Sequence, residues 1–140
     1  MDAGRVLTML LALHAPVSRT RLETLADAIA SAASTPHEAA VLIAIEYQET
    51  SLRPIAHEFG VTNRSGHLDG QPLSRWATAS LSMWRNGYRR HNDDLSGFFF
   101  YNSGRWIQNT HGHTRAFRRI GRRALAYARR CMNVVRRLEE

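Results

Sequence analysis

The sequence predicts an all-α fold, because apolar residues recur at helical spacing along most of its 140 residues. Helix-start patterns precede two of these segments, and proline or glycine follows several of them. A chain of this length can bury one core without disulfides, and its single cysteine, Cys131, excludes an internal one. Cys131 falls in a strongly helical segment, where we expect a buried small hydrophobe. We therefore expect one helical domain over residues 1–140.

The first two helices are predicted from an apolar segment and a capping pattern. Residues 6–13 predict a helix that ends near Pro16. A signal peptide or membrane anchor is the alternative, although Asp2 precedes this segment and no clean cleavage site follows it. The run Thr20–Glu23 has the form of a capping box, which opens a second helix that continues to about Ala33.

A similar pattern, Thr35–Glu38, predicts the start of a third helix, with Pro36 at its first position. This helix is apolar on almost every side and carries Glu49 near its end. Pro54 follows shortly afterwards, where a helix commonly stops. We therefore expect a core helix that delivers a carboxylate at its C-terminal end.

Residues 55–72 are rich in glycine, asparagine, histidine and aspartate. This composition predicts a long irregular loop or a small hairpin, with bends at Gly60, Gly66 and Gly70. Loops of this length within compact domains are usually functional. We therefore expect the segment to lie close to a functional site.

Three further helices are predicted after this loop, over residues 74–90, 94–101 and 114–138. Asn92 or Asp93 caps the second of them, and Ser103-Gly104 ends it. The large aromatic side chains are expected mostly in the core, and Trp106 is the best candidate for stacking on a sugar. These residues are Trp76, Trp84, Trp106 and the run Phe98-Phe99-Phe100.

The formal net charge is +7, and every Lys or Arg position holds arginine. Many of the arginines cover the last helix: Arg115, Arg118, Arg119, Arg122, Arg123, Arg129, Arg130, Arg136 and Arg137. Such a face is either the solvated side of an amphipathic helix or a contact for an anionic polymer. One alternative function is therefore a non-enzymatic helical module that docks on nucleic acid or on an acidic protein. No segment is long enough to cross a membrane.

Glu49 is the strongest candidate for chemistry on spacing alone. It shares a helical stripe with Leu42, Ile45 and Leu52, which belong in a core. Burial and the helix C-terminus would both favour the protonated carboxyl group, the form that a general acid requires. The competing interpretation is a boundary residue that reaches water or forms an ion pair.

Two motifs together carry a resemblance to a known family. Residues 48–54, Gln-Glu-Thr-Ser-Leu-Arg-Pro, close the apolar helix, and residues 99–104, Phe-Phe-Tyr-Asn-Ser-Gly, follow about fifty residues later. In order and spacing the pair resembles the soluble lytic transglycosylases of the lysozyme-like superfamily, over roughly residues 20–107. The resemblance implies a lysozyme-like helical domain. Residues 66–71 match the family's Gly-Leu-Met-Gln type of segment only loosely, with Gln71 standing for its glutamine.

The same resemblance implies cleavage of peptidoglycan strands between N-acetylmuramic acid and N-acetylglucosamine. One glutamate would serve as acid and then base, with no cofactor and no metal, and the product would be a 1,6-anhydro sugar. The implied site residues are Glu49 as the catalytic group, with Thr50, Gln71, Tyr101 and Asn102 binding substrate. Thr50 would hydrogen-bond near Glu49, although a threonine at a helix end also commonly bonds its own backbone.

Hydrolysis remains the alternative within this class, and it commonly needs a second carboxylate. The candidates are Glu58, Asp69, Asp93 and Asp94, of which the last two resemble helix caps. His111 and His113 alone make a weak metal pattern. The expected partners are peptidoglycan and an anionic polymer or a larger envelope, secretion or phage assembly, and the expected locations are the periplasm, the cell envelope or a phage particle.

Overall fold

The computed structural model describes residues 1–105 and 115–140, without the side chains of residues 116 and 117. All regular secondary structure within these ranges is helical, which confirms the all-α prediction. The elements are α1 (Ala3–Leu11), α2 (Arg19–Ala32), α3 (Pro36–Thr50), a 3-10 turn (Glu58–Gly60), α4 (Leu73–His91), α5 (Asp94–Ser103) and α6 (Arg115–Glu139). Residues 55–72 contain no strand, so the loop prediction is confirmed and the hairpin alternative is wrong.

Helix α2 begins earlier than its capping pattern predicted. The hydroxyl of Ser18 accepts a hydrogen bond from the backbone N–H of Arg21 at 3.1 Å. Thr20 therefore lies in the first turn and accepts, through its carbonyl, a bond from the Thr24 hydroxyl. The predicted Thr20–Glu23 box is wrong because a suitable hydroxyl was already available two residues upstream.

The other predicted caps agree with the structure. Thr35 accepts a hydrogen bond from the backbone N–H of Glu38 at 3.1 Å, and Pro36 opens α3. Asp93 accepts one from the N–H of Ser96 at 2.7 Å and caps α5. Gly104 ends α5 in the left-handed conformation, with a φ of 67°. These bonds satisfy backbone groups that a helix end leaves unpaired.

One compact unit comprises residues 1–81 and 135–140. Its core forms where α1 and α2 meet the central helix α3, and the largest apolar side chains are fully buried: Val6, Leu10, Leu25, Ile29, Leu42, Ile43 and Ile45. Residues 39–46 of α3 are buried on every side, as expected for a helix that is apolar all round. This burial gives the end of α3 a rigid support.

The second compact unit comprises residues 82–134. Here the end of α4 approaches α5 closely, because a Cβ added at Gly97 would lie 2.5 Å from the Trp84 indole nitrogen. The Trp84 and Phe98 rings lie 5.8 Å apart between centroids. Phe98, Phe99 and Cys131 are buried, as predicted. Within the described ranges, no helix combines the length and the apolar character needed to cross a membrane.

Candidate functional site

Glu49 lies in the last turn of α3 and is exposed. The expectation that it is buried is wrong, for two reasons. Every side of α3 is covered over residues 39–46, so a helical stripe there does not distinguish buried from exposed positions. Leu52 is indeed buried, but α3 has ended by then and the chain reaches Leu52 through a left-handed backbone, with a φ of 65°. The side chain of Glu49 is therefore accessible from solvent.

The 3-10 turn packs against the Glu49 carboxyl group. A Cβ atom added at Gly60 would lie 2.5 Å from both Cδ and Oε2 of Glu49. Gly60 also has a φ of 63°, a conformation that favours glycine. Glycine is thus required here both for backbone conformation and for space, and the turn is held directly opposite this carboxyl group.

A second glutamate, Glu46, lies one helical turn before Glu49 and is fully buried. Its Oε1 accepts hydrogen bonds from the Phe59 backbone N–H at 3.2 Å and from the Thr50 hydroxyl at 2.5 Å. The Thr50 hydroxyl also lies 3.0 Å from the Glu46 carbonyl oxygen. Thr50 therefore binds Glu46 and its own helix backbone, and not Glu49.

Arg21 of α2 connects this helix to the chain that follows α3. Its Nη2 lies 2.9 and 2.8 Å from the two carboxylate oxygens of Glu58. The same guanidinium donates to the carbonyl oxygens of Leu52 and Arg53, at 3.0 and 3.2 Å. Glu58 in turn accepts from the Ile55 N–H at 3.3 Å. Glu58, a candidate second carboxylate, is thus buried in an ion pair that shapes the loop.

The buried carboxyl groups and the guanidinium form one electrostatic cluster, which we call the Arg21–Glu46–Glu58 cluster. Arg21 Nη2 lies 2.8 Å from Glu58 Oε2 but 3.8 Å from Glu46 Oε2. Burial, a hydrogen bond to Glu58 and repulsion by its charge raise the pKa of Glu46 from 4.5 to about 8, although bonds from Thr50 and Phe59 oppose the shift. Glu46 is therefore mainly protonated at neutral pH, which leaves one positive and one negative charge in the cluster.

Sequence reasoning missed this cluster. The available signal was a glutamate inside the apolar run of α3, a position at which an unpaired charge is costly. Its partners come from α2 and from the 3-10 turn, and no spacing rule connects those segments. The cluster becomes visible only when the three elements are packed.

The remaining predicted site residues belong to different elements of the chain. Gln71 is exposed just before α4, in the first unit. Tyr101 is buried and Asn102 is exposed in the last turn of α5, in the second unit. The structure thus brings Glu49 and Thr50 together at the end of α3. Gln71 belongs to the following loop, and Tyr101 with Asn102 belongs to another helix.

The other candidate carboxylates are also located. Asp69 is exposed and accepts a hydrogen bond from the Asn63 side-chain amide at 2.7 Å. Asp93 is the cap of α5, and Asp94 begins that helix. Trp106, His111 and His113 lie outside the described residues. Among residues 1–105 and 115–140, no group of three or more His, Cys, Asp or Glu side chains is arranged to hold a metal ion.

Comparison of the chain with protein-family models, with curated proteins and with solved structures finds no match. Function therefore has to be inferred from the site itself.

Proposed function

We propose that this protein cleaves the glycan strands of peptidoglycan as a lytic transglycosylase with a lysozyme-like helical fold, and that Glu49 is its catalytic acid and base. The observation that carries the proposal is the position of the Glu49 carboxyl group. It is exposed at the end of a helix that is buried over residues 39–46, and the backbone of Gly60 lies directly against it. A solvent-accessible carboxyl group on a regular helix suits acid–base catalysis on a polymer.

The proposed reaction uses one carboxyl group twice. Protonated Glu49 donates its proton to the oxygen that links N-acetylmuramic acid to N-acetylglucosamine, and the C1–oxygen bond breaks. The Glu49 carboxylate then takes the proton from the C6 hydroxyl of the muramic residue as that oxygen bonds to C1. The products are a 1,6-anhydromuramic end and a new N-acetylglucosamine hydroxyl, so water is not consumed.

The structure makes one candidate second carboxylate, which hydrolysis commonly needs, unsuitable. Among the loop carboxylates, Glu58 is buried against Arg21, which leaves Asp69 as the exposed candidate for activating water. Thr50 is also occupied, because its hydroxyl binds Glu46. We therefore assign Thr50 to the support of the α3 end. Substrate binding by Gln71, Tyr101 and Asn102 is a prediction that rests on the family resemblance alone.

The test is digestion of purified peptidoglycan by the wild type, Glu49→Gln and Glu23→Gln, with the products identified by mass spectrometry. Glu23 is the matched control, because it is an exposed glutamate in an ion pair with Arg19 on α2. We expect anhydro-muropeptides from the wild type and the control but not from Glu49→Gln. Reducing-end products would instead identify a hydrolase. No products from the wild type, on a substrate that a known lytic enzyme digests, would contradict the proposed function.

A second candidate function is supported by α6. All of its arginines are exposed, whereas Ala124, Tyr127, Ala128 and Cys131 on the other side are buried. A single helix with this many exposed cations can bind an anionic polymer through charge alone. It would hold the enzyme on an anionic envelope or assembly or, in the non-enzymatic alternative, dock the protein on nucleic acid.

Binding to duplex DNA over a salt series tests the nucleic-acid alternative. If the exposed arginines of α6 bind DNA, the logarithm of the affinity should fall steeply and linearly with the logarithm of the salt concentration. Replacement of Arg122 and Arg123 by glutamine should make that slope shallower. Weak binding with a flat salt dependence, together with active cleavage of peptidoglycan, would exclude the non-enzymatic alternative.

A further inference from the structure

The Arg21–Glu46–Glu58 cluster connects α2, α3 and the 3-10 turn, whose last residue, Gly60, lies against Glu49. We propose that Glu46 is a positioning residue, whose buried carboxyl group holds the Phe59–Gly60 backbone in place opposite Glu49. The proposal rests on the assigned role of Glu49, but the contacts that carry it are independent of any substrate.

The connection from Glu46 to Glu49 passes through two consecutive residues. Glu46 Oε1 accepts the Phe59 N–H at 3.2 Å, and the next residue, Gly60, is the one that lies against Glu49. Phe59 has a φ of 58°, which is an unfavourable conformation for a bulky side chain. Such a conformation persists only where the surroundings hold it. Burial of the Phe59 ring and the bond to Glu46 are two contacts that help to hold it here.

The cluster favours a protonated Glu46. As a carboxylate, Glu46 would have its Oε2 buried with no hydrogen-bond donor among the described residues, and Arg21 is closer to Glu58 than to this oxygen. A proton on Oε2 lets Glu46 donate to the neighbouring Glu58 carboxylate, so that every buried oxygen is satisfied. Loss of this proton would leave two buried carboxylates with one guanidinium, and the second negative charge would repel the turn that carries Glu58.

We call the hold of Glu46 on the Phe59–Gly60 backbone the anchor, and we expect it to depend on pH. Arg21 from α2 and Glu58 from the 3-10 turn are the charged groups that the described residues place against Glu46, and Thr50 of α3 is the neutral one. Because burial and Glu58 raise the pKa of Glu46 to about 8, Glu46 should be protonated at pH 6 and ionised at pH 9. The Phe59 N–H bond is by itself stronger to a carboxylate, so it is the repulsion between the two buried carboxylates that should displace the 3-10 turn at pH 9. Cleavage by Glu49 should weaken with this displacement.

Two variants isolate this role. In Glu46→Gln the side-chain oxygen still accepts the Phe59 N–H, and the amide nitrogen donates to Glu58 at every pH. In Glu46→Leu the shape is roughly kept but the Phe59 N–H loses its acceptor. Glu23→Gln again controls for the loss of one carboxylate from the chain.

The first measurement is an NMR titration from pH 5 to 9.5 with labelled glutamate side chains and backbone. In the wild type, the Glu46 carboxyl carbon and the backbone 13C and 15N shifts of Phe59 and Gly60 should share one midpoint near pH 8. This shared titration should be absent from Glu46→Gln and retained in Glu23→Gln. A Glu46 that titrates without moving Phe59 and Gly60, or that titrates in the ordinary range of a glutamate, would overturn the anchor.

The second measurement is the rate of peptidoglycan cleavage at pH 6 and pH 9. Between pH 6 and pH 9, we expect kcat to fall by a factor that is at least five times larger in the wild type than in Glu46→Gln. The neutral glutamine side chain keeps the turn in place at both pH values. Glu46→Leu should lower kcat about tenfold at both pH values, with a smaller change in KM. Equal pH profiles for the wild type and Glu46→Gln would overturn the positioning role. A wild type with no activity at all, but with the shared NMR titration, would contradict the proposed function and leave the anchor established.

Discussion

Glu46 and Glu49 lie one turn apart on the same helix, yet their surroundings are opposite. Glu46 is fully buried and bonded to Thr50 and Phe59, whereas Glu49 is exposed beside Gly60. The buried carboxyl group is satisfied by its neighbours and is closed to any substrate. The exposed one lies against the Gly60 backbone and is accessible from solvent. The comparison shows that the residue with the raised pKa, Glu46, is not the one that solvent reaches.

Removal of the exposed carboxyl group should have the largest effect. Glu49→Gln should lower the rate of peptidoglycan cleavage by a factor of about 100 to 10,000, because a positioned acid and base contributes this much. The thermal unfolding midpoint should stay near that of the wild type, since the side chain is exposed. Rates of muropeptide release and thermal scans of the same samples check both statements. A large fall in the unfolding midpoint of Glu49→Gln would show that Glu49 stabilises the fold, as Glu46 is expected to do.

The buried carboxyl group should instead appear in the pH dependence of stability. An unfolded chain releases the Glu46 proton near pH 4.5, whereas the folded protein keeps it until about pH 8. Between these values unfolding releases a proton, so the free energy of unfolding falls as pH rises, by at most about 1.4 kcal/mol per pH unit. This contribution is complete below pH 4.5 and is lost by about pH 8.

Urea unfolding at several pH values between 5 and 9 measures this slope. The difference between the wild type and Glu46→Gln is the informative quantity, because the other titrating groups cancel in it. The wild type should lose stability relative to Glu46→Gln as pH rises. Parallel curves would show that Glu46 titrates alike in the folded and unfolded chains.

Substitution of Gly60 tests how closely the turn approaches Glu49. Gly60→Ala should lower the free energy of unfolding by about 1–3 kcal/mol, from the positive φ and the clash with the carboxyl group together. Gly70→Ala is the matched control, because Gly70 has a φ of 70° but no atom within 4 Å of an added Cβ. Gly60→Ala should also reduce cleavage, while Gly70→Ala should carry the cost of the backbone alone. Equal losses of stability and activity in the two variants would mean that the approach to Glu49 is unimportant.

The smallest expected effect comes from the Thr50 hydroxyl. Thr50→Val should lower the free energy of unfolding by about 1 kcal/mol at pH 6, because it removes a hydrogen bond from a buried carboxyl group. Thr24→Val is the control, since the Thr24 hydroxyl bonds a backbone carbonyl on the exposed side of α2. Chemical denaturation of the two variants resolves the difference. A larger loss of stability in Thr24→Val than in Thr50→Val would show that the Thr50 hydroxyl does not stabilise Glu46.

Parts of the fold followed from local patterns. Thr35 and Pro36 identified the start of α3, and Asp93 and Gly104 identified the two ends of α5. These features are readable because a cap involves only residues three or four positions apart. The start of α2 was missed, because Ser18 and Thr20 offer the same hydroxyl chemistry and local rules do not rank them.

The candidate site was only partly predictable. Glu49 was identified as a candidate, but its exposure to solvent was not predicted. The stripe with Leu42 and Ile45 shows which residues are apolar, but it does not show where neighbouring elements stop covering α3. Glu58 was considered for catalysis, whereas its actual partner is Arg21. The catalytic role of Glu49 remains a prediction for the digestion experiment.

The amino-acid pattern alone established an all-α chain, a central apolar helix with a carboxylate in its last turn, and a final helix covered with arginine. Each of these depends on helical spacing or on a cap, which are interactions within one segment. Packing decided that Glu46 is buried and has a raised pKa, that Arg21 binds Glu58, and that Gly60 lies against Glu49. These contacts join residues from α2, α3 and the 3-10 turn. The electrostatic energies of these contacts depend on how far each group is buried and on the distances between groups, and both are set only when the chain folds.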